Sequence, residues 1–250
     1  MLRPRIIPCL LMSENGLVKT VKFQKPKYVG DPINAVKIFN EKKVDELIIL
    51  DIDASKKKKS PDLKKLEIIA NESRMPLTYG GGITTVEQAK NIISLGYEKI
   101  SISSFVLENI GIIEKIADAI GSQSVVVTLD YKKNLISNNY SIFTLNGRKK
   151  HNHNIFELAE EIESLGAGEI LFNSIERDGT MRGYDIDFAK KIRAKLDNQI
   201  SFLGGAKDIS DMENLIDNVG IVGLAAGSMF VFKGKFKAVL LSYQKPNGII

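Results

Sequence analysis

Several residues that could carry out chemistry lie where short apolar runs of the sequence end. Asp51 lies near the end of ELIILDI, Asp130 ends SVVVTLD, and Asn173 lies near the end of EILFNSI. Carboxylates can transfer protons, and an amide can hold a polar ligand through hydrogen bonds. If these runs are the strands of a barrel, their carboxyl ends meet at one rim, where barrel enzymes place their catalytic groups.

Two further polar residues follow such runs. Lys19 lies in the segment after the first run, and Asp178 lies beside Gly179. Asp178 could contact a ligand, or it could hold its own loop by accepting backbone N–H groups, and the sequence favours neither interpretation. The same loop-holding role is the alternative for Asp51.

Glycine and serine residues at four of the run ends have the character of phosphate-binding turns. Bare glycines let backbone N–H groups approach an anion, and the start of the next helix adds a favourable dipole. Tight turns alone would explain one such pair, but two pairs at equivalent places favour phosphate binding. The residues concerned are Gly80, Gly81, Gly82, Ser103, Ser104, Gly204, Gly205, Gly227 and Ser228.

Charged residues stand at the opposite ends of four runs, where Arg5, Glu46, Lys99 and Glu169 each begin a predicted strand. Alternation with period two places Arg5 on the same side of its strand as Leu11, which we predict to be the inside. Two cations and two anions would form a ring across the axis with little net charge. Such a ring could gate a small polar molecule, or it could simply close the bottom of the barrel. Charge placement alone leaves both interpretations open.

The elements that must position these residues are eight strands alternating with eight amphipathic helices. This alternation predicts a parallel sheet with crossover helices. The predicted strands are 5–11, 46–52, 76–80, 99–103, 124–130, 169–175, 200–204 and 220–226. The predicted helices are 32–43, 61–73, 85–95, 108–120, 154–165, 185–195, 209–217 and 235–244.

Helix starts have local signals. Asp31-Pro32 and Ser60-Pro61 each predict an N-cap followed by proline at the first helical position. Thr84 and Glu87 have the spacing of a capping box.

The two halves of the sequence resemble each other. LTYGGGIT resembles SFLGGAKD, and DELIILDIDAS resembles GEILFNSIERD, each pair being offset by about half the chain. Four units plus four close into a barrel more naturally than into an open sheet. We therefore predict an α/β fold with one (β/α)8 barrel domain over residues 1–250; an open doubly wound sheet is the alternative.

The segment after the fifth strand is long enough to form structure of its own. Residues 131–154 contain the turn signals Asn138-Asn139 and Asn146-Gly147, which predict a small hairpin on the carboxyl rim.

The composition is 44% hydrophobic and 26% charged, which is typical of a globular protein. Cys9 is the single cysteine, which excludes an intrachain disulfide and fits a cytoplasmic location. No apolar run is long enough for a membrane span, and we recognise no signal peptide. The net charge of +5 is too small and dispersed to indicate nucleic-acid binding. His151 and His153 are the only histidines, so we expect no metal site.

A resemblance to a known family rests on an ordered set of motifs that covers nearly the whole chain. The motifs are RIIPCL, GDP, DELIILDIDAS, GGGI, KISIS, VVVTLD, GAGEILFNSIERDGT, GYD and GGA. Together they resemble the cyclase subunit of imidazole glycerol phosphate synthase. No single motif is decisive, whereas the ordered set is specific.

The resemblance implies a barrel that binds a two-phosphate substrate at its rim and a glutaminase subunit on the opposite face. Ammonia from glutamine would pass along the barrel axis through a charged gate, without a cofactor. The gate residues of that family match Arg5, Glu46, Lys99 and Glu169. Its two phosphate sites match Gly81, Ser103 and Ser104, and Asp178, Gly179, Gly205, Gly227 and Ser228. Its loop lysine matches Lys19, and its second catalytic carboxylate matches Asp130.

The match departs from the family at the first catalytic carboxylate, where this chain has Leu11. An isobutyl group cannot move a proton, and the loss of one positioned acid or base typically costs about 100- to 10,000-fold in rate. Ser103-Ser104 also replaces the usual asparagine–threonine pair. These departures resemble a paralogous branch associated with nucleotide-sugar amidation in the synthesis of bacterial surface polysaccharides such as lipopolysaccharide.

The leading hypothesis is therefore a barrel subunit that delivers ammonia from a glutaminase, in company with an ATP-dependent sugar amidotransferase. One alternative is an active cyclase with Asp130 as its sole carboxylate. Another is a non-catalytic barrel that binds phosphate without a glutaminase partner. The sequence leaves open whether the chain is itself an enzyme, and it does not identify the sugar.

Overall fold

The computed structural model describes residues 3–14, 16–134 and 139–245 and confirms the predicted (β/α)8 barrel. Eight parallel strands pair side by side in chain order, and the fifth pairs with the sixth as well as with the fourth. The last strand pairs with the first, so the sheet closes. The strands are β1 (Arg5–Ser13), β2 (Leu47–Asp51), β3 (Leu77–Gly80), β4 (Lys99–Ile102), β5 (Val125–Lys133), β6 (Glu169–Ser174), β7 (Gln199–Leu203) and β8 (Gly223–Ala226).

Within the described residues, seven helices follow the first seven strands, close to the predicted positions. They are α1 (Pro32–Glu41), α2 (Leu63–Glu72), α3 (Val86–Ser94), α4 (Ile112–Ile120), α5 (Ile155–Ser164), α6 (Ile186–Arg193) and α7 (Ile209–Val219). Shorter helical turns span Ala54–Lys57, Ser122–Ser124 and Ser228–Val231. In the part of the chain that the structure describes, no helix has the length and apolar character of a membrane span.

The alternation of side chains along each strand creates two separate apolar regions. Outward residues such as Ile6 and Leu10 of β1 pack with helix residues such as Phe39 in the main core. A second, smaller cluster lies inside the barrel and includes Ile7 and Leu171. The inner cluster fills the barrel as a packed core, which the fold requires. Its end nearest the carboxyl ends of the strands lies below the rim.

Side-chain caps fix where several helices begin. Asp31 caps α1 as predicted, and its carboxylate accepts from the N–H of Asn34 at 3.0 Å. The other two predicted caps are wrong by one or two residues, because Asp62 rather than Ser60 caps α2 and Thr85 rather than Thr84 caps α3. Neighbouring residues of equal capping ability make such positions hard to separate by sequence.

Two hairpins extend from the carboxyl ends of the barrel strands. The first hairpin consists of Gly16–Val21 and Gln24–Gly30 and continues from β1. The central hairpin consists of Tyr140–Thr144 and Lys149–His151 and pairs with the end of β5, as predicted. The predicted turn at Asn138-Asn139 involves a residue outside the described ranges.

The predicted last helix, 235–244, is wrong. Phe232–Lys233 and Ala238–Val239 instead form a two-stranded ribbon, and residues 240–245 continue without regular structure. Lys237, inside the predicted helix, has a φ of +49°, which a right-handed helix does not allow, and its N–H donates to the carbonyl of Gly234 in the turn of the ribbon. Beyond the ribbon, Leu241 packs on the core whereas Leu240 is exposed, an alternation that fits an extended chain better than a helix.

Candidate functional site

A cavity of about 690 Å³ opens at the carboxyl ends of the barrel strands. Its walls come from the ends of all eight strands and from loops that follow them. The structure thereby brings together every rim residue that the sequence predicted. These residues are Lys19, Asp51, Gly81, Gly82, Ser103, Ser104, Asp130, Asn173, Asp178, Gly179, Gly204, Gly205, Gly227 and Ser228.

Asp130 and Asn173 form a hydrogen-bonded pair on neighbouring strands. The register of β5 and β6 places them side by side, and Asn173 Nδ2 donates to Asp130 Oδ1 at 2.8 Å. Desolvation raises the pKa of Asp130 to about 7, against the opposing effect of this hydrogen bond. Asn173 Oδ1 is buried and has no hydrogen-bond partner among the described residues. The pair thus offers a near-neutral carboxyl group and an open acceptor at the same place.

Leu11 occupies the position across the barrel where the resemblance predicts a carboxylate. Its side chain is 8% exposed and belongs to the inner apolar cluster with Cys9 and Leu203. It also lines the cavity, so this wall is apolar. Burial raises the pKa of the Cys9 thiol to about 12, which makes it a packing residue rather than a nucleophile.

Asp51 and Asp178 both hold loops, which was one of the two roles considered for them. Asp51 Oδ1 accepts from the N–H groups of Asp53 and Ala54 at 2.9 and 3.1 Å. Asp178 Oδ2 accepts from the Thr20 hydroxyl at 2.7 Å and from a backbone N–H at the tip of the first hairpin at 3.1 Å. Each of these two carboxylates therefore anchors a loop through hydrogen bonds.

Lys19 brings a buried ammonium group to the end of β8. Its side chain is 5% exposed, and Nζ lies 3.8 Å from Asp178 Oδ1. A Cβ atom on Gly227 would stand 2.4 Å from Nζ, so a larger residue there would displace the lysine. An anion bound at the ends of β7 and β8 would therefore meet a fixed positive charge.

The central hairpin covers the other group of residues with phosphate-binding character, at the ends of β3 and β4. Ser104 Oγ accepts from the N–H of Leu145 at 3.4 Å, and Asn146 Nδ2 donates to a backbone carbonyl at 2.8 Å. Gly82 has a φ of +71°, and its Cβ would stand 2.3 Å from the carbonyl oxygen of Lys59. The glycine is thus required by loop packing whether or not an anion binds.

The sequence did not single out several residues that line this cavity. Ser101 and Thr128 face each other with their hydroxyl oxygens 2.7 Å apart. They lie two residues before Ser103 and Asp130, on the same side of their chain segments. Period-two alternation could have found them. Lys58 and Lys59 also reach the cavity wall while remaining exposed, as expected for a solvated loop.

At the opposite end of the barrel, Arg5, Glu46, Lys99 and Glu169 form a closed ring, here called the floor ring. Arg5 lies 2.5 Å from Glu46 and 2.7 Å from Glu169, and Lys99 lies 2.9 Å from Glu169 and 3.4 Å from Glu46. All four side chains point inward, which the alternation predicted for Arg5. Burial opposes ionisation of Glu169, but Arg5 and Lys99 nevertheless lower its pKa to about 2.

Hydroxyl groups complete the floor ring. Thr78 donates to Glu46 at 3.0 Å, and Ser201 donates to Glu169. Above the ring, apolar side chains that include Ile7 and Leu171 separate it from the cavity. The barrel axis therefore passes from a charged floor through an apolar layer to a cavity whose walls combine the polar groups of Asp130 and Asn173 with the apolar side chain of Leu11.

Comparison with known proteins relates this chain to one family. A family model described as "Histidine biosynthesis protein" matches residues 5–237, a range that includes the floor ring and the cavity residues. A protein of Leptospira borgpetersenii, provisionally named imidazole glycerol phosphate synthase subunit HisF, is 54% identical over 248 residues, covering 99% of this chain and 97% of its own. A Vibrio vulnificus protein, provisionally named subunit hisF3 of the same synthase, is 54% identical over 247 residues, covering 99% and 95%. The imidazole glycerol phosphate synthase subunit HisF of Petrotoga mobilis is 37% identical over 230 residues, covering 92% and 91%.

The Asp130 carboxyl is expected to titrate with a midpoint near pH 7, and Asn173→Leu should raise that midpoint because the hydrogen bond to the charged form is lost. Carbon-13 NMR of labelled aspartate carboxyls measures it directly. Since the folded pKa lies above the unfolded value of about 4, this group's contribution to stability should decline as pH rises from about 4 to about 7. The Asp53 carboxyl, whose pKa is lowered, is the internal control. An Asp130 midpoint below about 5 would contradict this assignment.

Glu169→Gln is expected to lower the free energy of unfolding by about 3 to 5 kcal/mol at pH 7, because it leaves the buried Lys99 and the partly exposed Arg5 short of a negative charge. Glu169 has its pKa lowered to about 2, so its stabilising contribution is complete above its ordinary pKa and fades as pH falls toward 2. The difference from wild type, measured by urea unfolding, should therefore shrink between pH 5 and pH 3. The matched control is Glu67→Gln on the exposed face of α2, and equal losses for both variants would refute the ring's role in stability.

Proposed function

The chain belongs to the histidine biosynthesis protein family and is a barrel subunit like that of imidazole glycerol phosphate synthase, and we propose that it conducts ammonia for a glutamine-dependent amidotransferase. In this proposal a glutaminase docks on the strand amino-terminal face and releases ammonia beneath the floor ring. The ammonia crosses the barrel and leaves at the cavity, where it serves the amidation of a nucleotide sugar in surface polysaccharide synthesis.

The observation that carries the proposal is the sequence of environments along the axis. Carboxylates of the floor ring can hold neutral ammonia at the entrance, because they accept its N–H groups. The apolar layer above them favours neutral ammonia, since an ion loses far more hydration free energy on entering apolar surroundings. Neutral ammonia has a free lone pair and is the nucleophilic form. The order of these layers thus supports delivery of a reactive nitrogen to the cavity.

The floor ring is closed in the isolated chain, so passage requires one ion pair to open. The contact between Lys99 and Glu46, at 3.4 Å, is the longest of the four. The side chain of Arg5 is 23% exposed on the floor, where a docked glutaminase would touch it. We therefore assign the opening step to the pairs of Lys99 and Arg5 and link it to partner binding.

At the outlet, the paired Asp130 and Asn173 can receive the ammonia. Asn173 Oδ1 lacks a partner among the described residues and can accept one N–H group, and Asp130 can accept another. The two phosphate-type ends and Lys19 would hold a phosphorylated ligand over this point, such as the diphosphate of a nucleotide sugar. Activation of the sugar would come from a separate ATP-dependent amidotransferase.

Leu11 separates this proposal from a cyclase. Ring closure of the family's type uses two carboxylates, and the apolar wall at Leu11 leaves Asp130 without an acid–base partner across the cavity. The loss of one such group costs about 100- to 10,000-fold in rate.

One observation favours the second candidate, an active cyclase. Asp130 has a pKa of about 7, which is the value that suits a single group acting alternately as acid and base near neutral pH. The third candidate, a barrel that binds phosphate without a glutaminase partner, would give no coupling to glutamine at all.

The cyclase test uses the purified chain, an ammonium salt and the synthase substrate, with imidazole glycerol phosphate as the measured product. We expect the wild-type rate to lie at least about 100-fold below that of a relative with both carboxylates, and Leu11→Asp to raise it. Asp130→Asn in the Leu11→Asp background is the control and should abolish the gain. Robust turnover by the wild-type chain would replace the ammonia-delivery proposal with the cyclase.

The partner test measures binding of the glutaminase from the same genome and the transfer of its ammonia. Glu98 is exposed at the start of β4, on the floor face, and Glu98→Lys is expected to weaken binding by tenfold or more through an unfavourable charge in the interface. Glu67→Lys carries the same charge change on the outer face of α2 and should bind as wild type does. If the wild-type chain binds no glutaminase, the phosphate-binding barrel becomes the better explanation.

A further inference from the structure

Two segments at the carboxyl rim carry lysine but no acidic residue. The chain has 30 acidic residues in 250, yet none lies between Glu14 and Asp31 and none follows Asp217. The first segment contains the first hairpin, and the second contains the ribbon after β8. Their charge is therefore uniformly positive, in contrast to the mixed charge of the helices around the barrel.

The two segments touch each other and present one surface. Lys27 Nζ lies 5.4 Å from the ring centroid of Phe232, so the first hairpin and the ribbon are in contact. We call the exposed side chains of 22–28 and 233–237 the basic patch. Each lysine in it is exposed, and none of them forms an ion pair among the described residues.

The basic patch also contains exposed aromatic groups. Phe236, at the tip of the ribbon, is 93% exposed, and Tyr28 is 58% exposed. An aromatic side chain this exposed loses the benefit of burial in the isolated chain, whereas aromatic anchors inside a charged rim are typical of protein interfaces.

The position of the basic patch points to its occupant. Phe23 of the first hairpin lines the cavity, as do Gly227 and Ser228, from which the ribbon segment departs. A protein seated on the basic patch would therefore stand beside the cavity mouth. Under the proposed function that mouth is where ammonia leaves, and an enzyme must receive it there.

We infer that the basic patch docks the ammonia-consuming enzyme through an acidic surface with an apolar recess for Phe236. This inference rests on the proposed function and adds the surface and the chemistry of the contact. Opposite charges steer the two proteins together and set their orientation, and the aromatic anchor supplies short-range contact. Nucleic acid fits less well, because the helices around the barrel are rich in acidic residues that would repel it.

The test measures the affinity of the full-length chain for the purified ATP-dependent amidotransferase by titration calorimetry. Lys25→Glu, Lys27→Glu and Lys235→Glu combined should weaken binding at least tenfold, and raising the salt from 50 to 300 mM should do the same for the wild type. The matched control reverses Lys64, Lys90 and Lys115, exposed lysines of the outer helices, which makes the same change in net charge. Phe236→Ser should weaken binding without changing its dependence on salt.

Several outcomes would overturn the inference. The inference is wrong if the variant of the basic patch binds the amidotransferase as tightly as the wild type does. It is also wrong if the control variant loses as much affinity, or if the amidotransferase does not bind the wild-type chain. Tighter binding of vesicles with anionic lipid, or of a DNA duplex, than of the amidotransferase would reassign the basic patch. Binding of the glutaminase to the floor of the barrel is measured in parallel. If the wild-type chain does not bind the glutaminase, the proposed function itself fails. If it does bind, a negative result with the amidotransferase counts against the basic patch alone.

Discussion

The four charged side chains of the floor ring, of which Arg5 is partly exposed, constrain the strands that carry them. A carboxylate or an ammonium group removed from water is costly unless it is paired, and each member of the floor ring has partners from at least two other strands. Arg5 bridges Glu46 and Glu169, so it ties β1 to both halves of the barrel. A shift of one residue in any of these strands would turn its charge toward the helices, and the ring thereby fixes the register of the site above it.

Because the register is fixed, the chemistry at the other end depends on single side chains. Asp130 and Asn173 are adjacent since β5 and β6 pair in register, and the position across from them is filled by Leu11. The same scaffold that would support a pair of carboxylates here supports one carboxylate against an apolar wall. The apolar surroundings also explain the raised pKa of Asp130, because desolvation penalises its charged form.

The rim loops have two physical roles at once. Gly82 and Gly227 permit close approach of neighbouring groups, and both glycines line the cavity. Asp178 accepts a hydrogen bond from Thr20 of the first hairpin and thereby holds this hairpin in place. The neighbouring Lys19 then lies at the end of β8. Loop packing therefore constrains residues that also line the cavity, and substitutions there would change both the loops and the cavity wall.

The sequence by itself determined the eight-strand barrel and the direction of Arg5 within it, because alternation with period two and turn chemistry are local. It predicted polar residues at the rim, such as Asp130 and Asn173, but it did not single out Ser101 and Thr128 below them. It did not determine the structure of 235–244, since the turn that includes Lys237 and the contact of Leu241 with the core outweigh an amphipathic pattern. Nor could it show that Asp178 is held by Thr20, because the two residues lie far apart in the sequence. Only the closed barrel brings such residues together. Burial of Asp130 inside the barrel raises the pKa of its carboxyl group, and this effect depends on the tertiary structure.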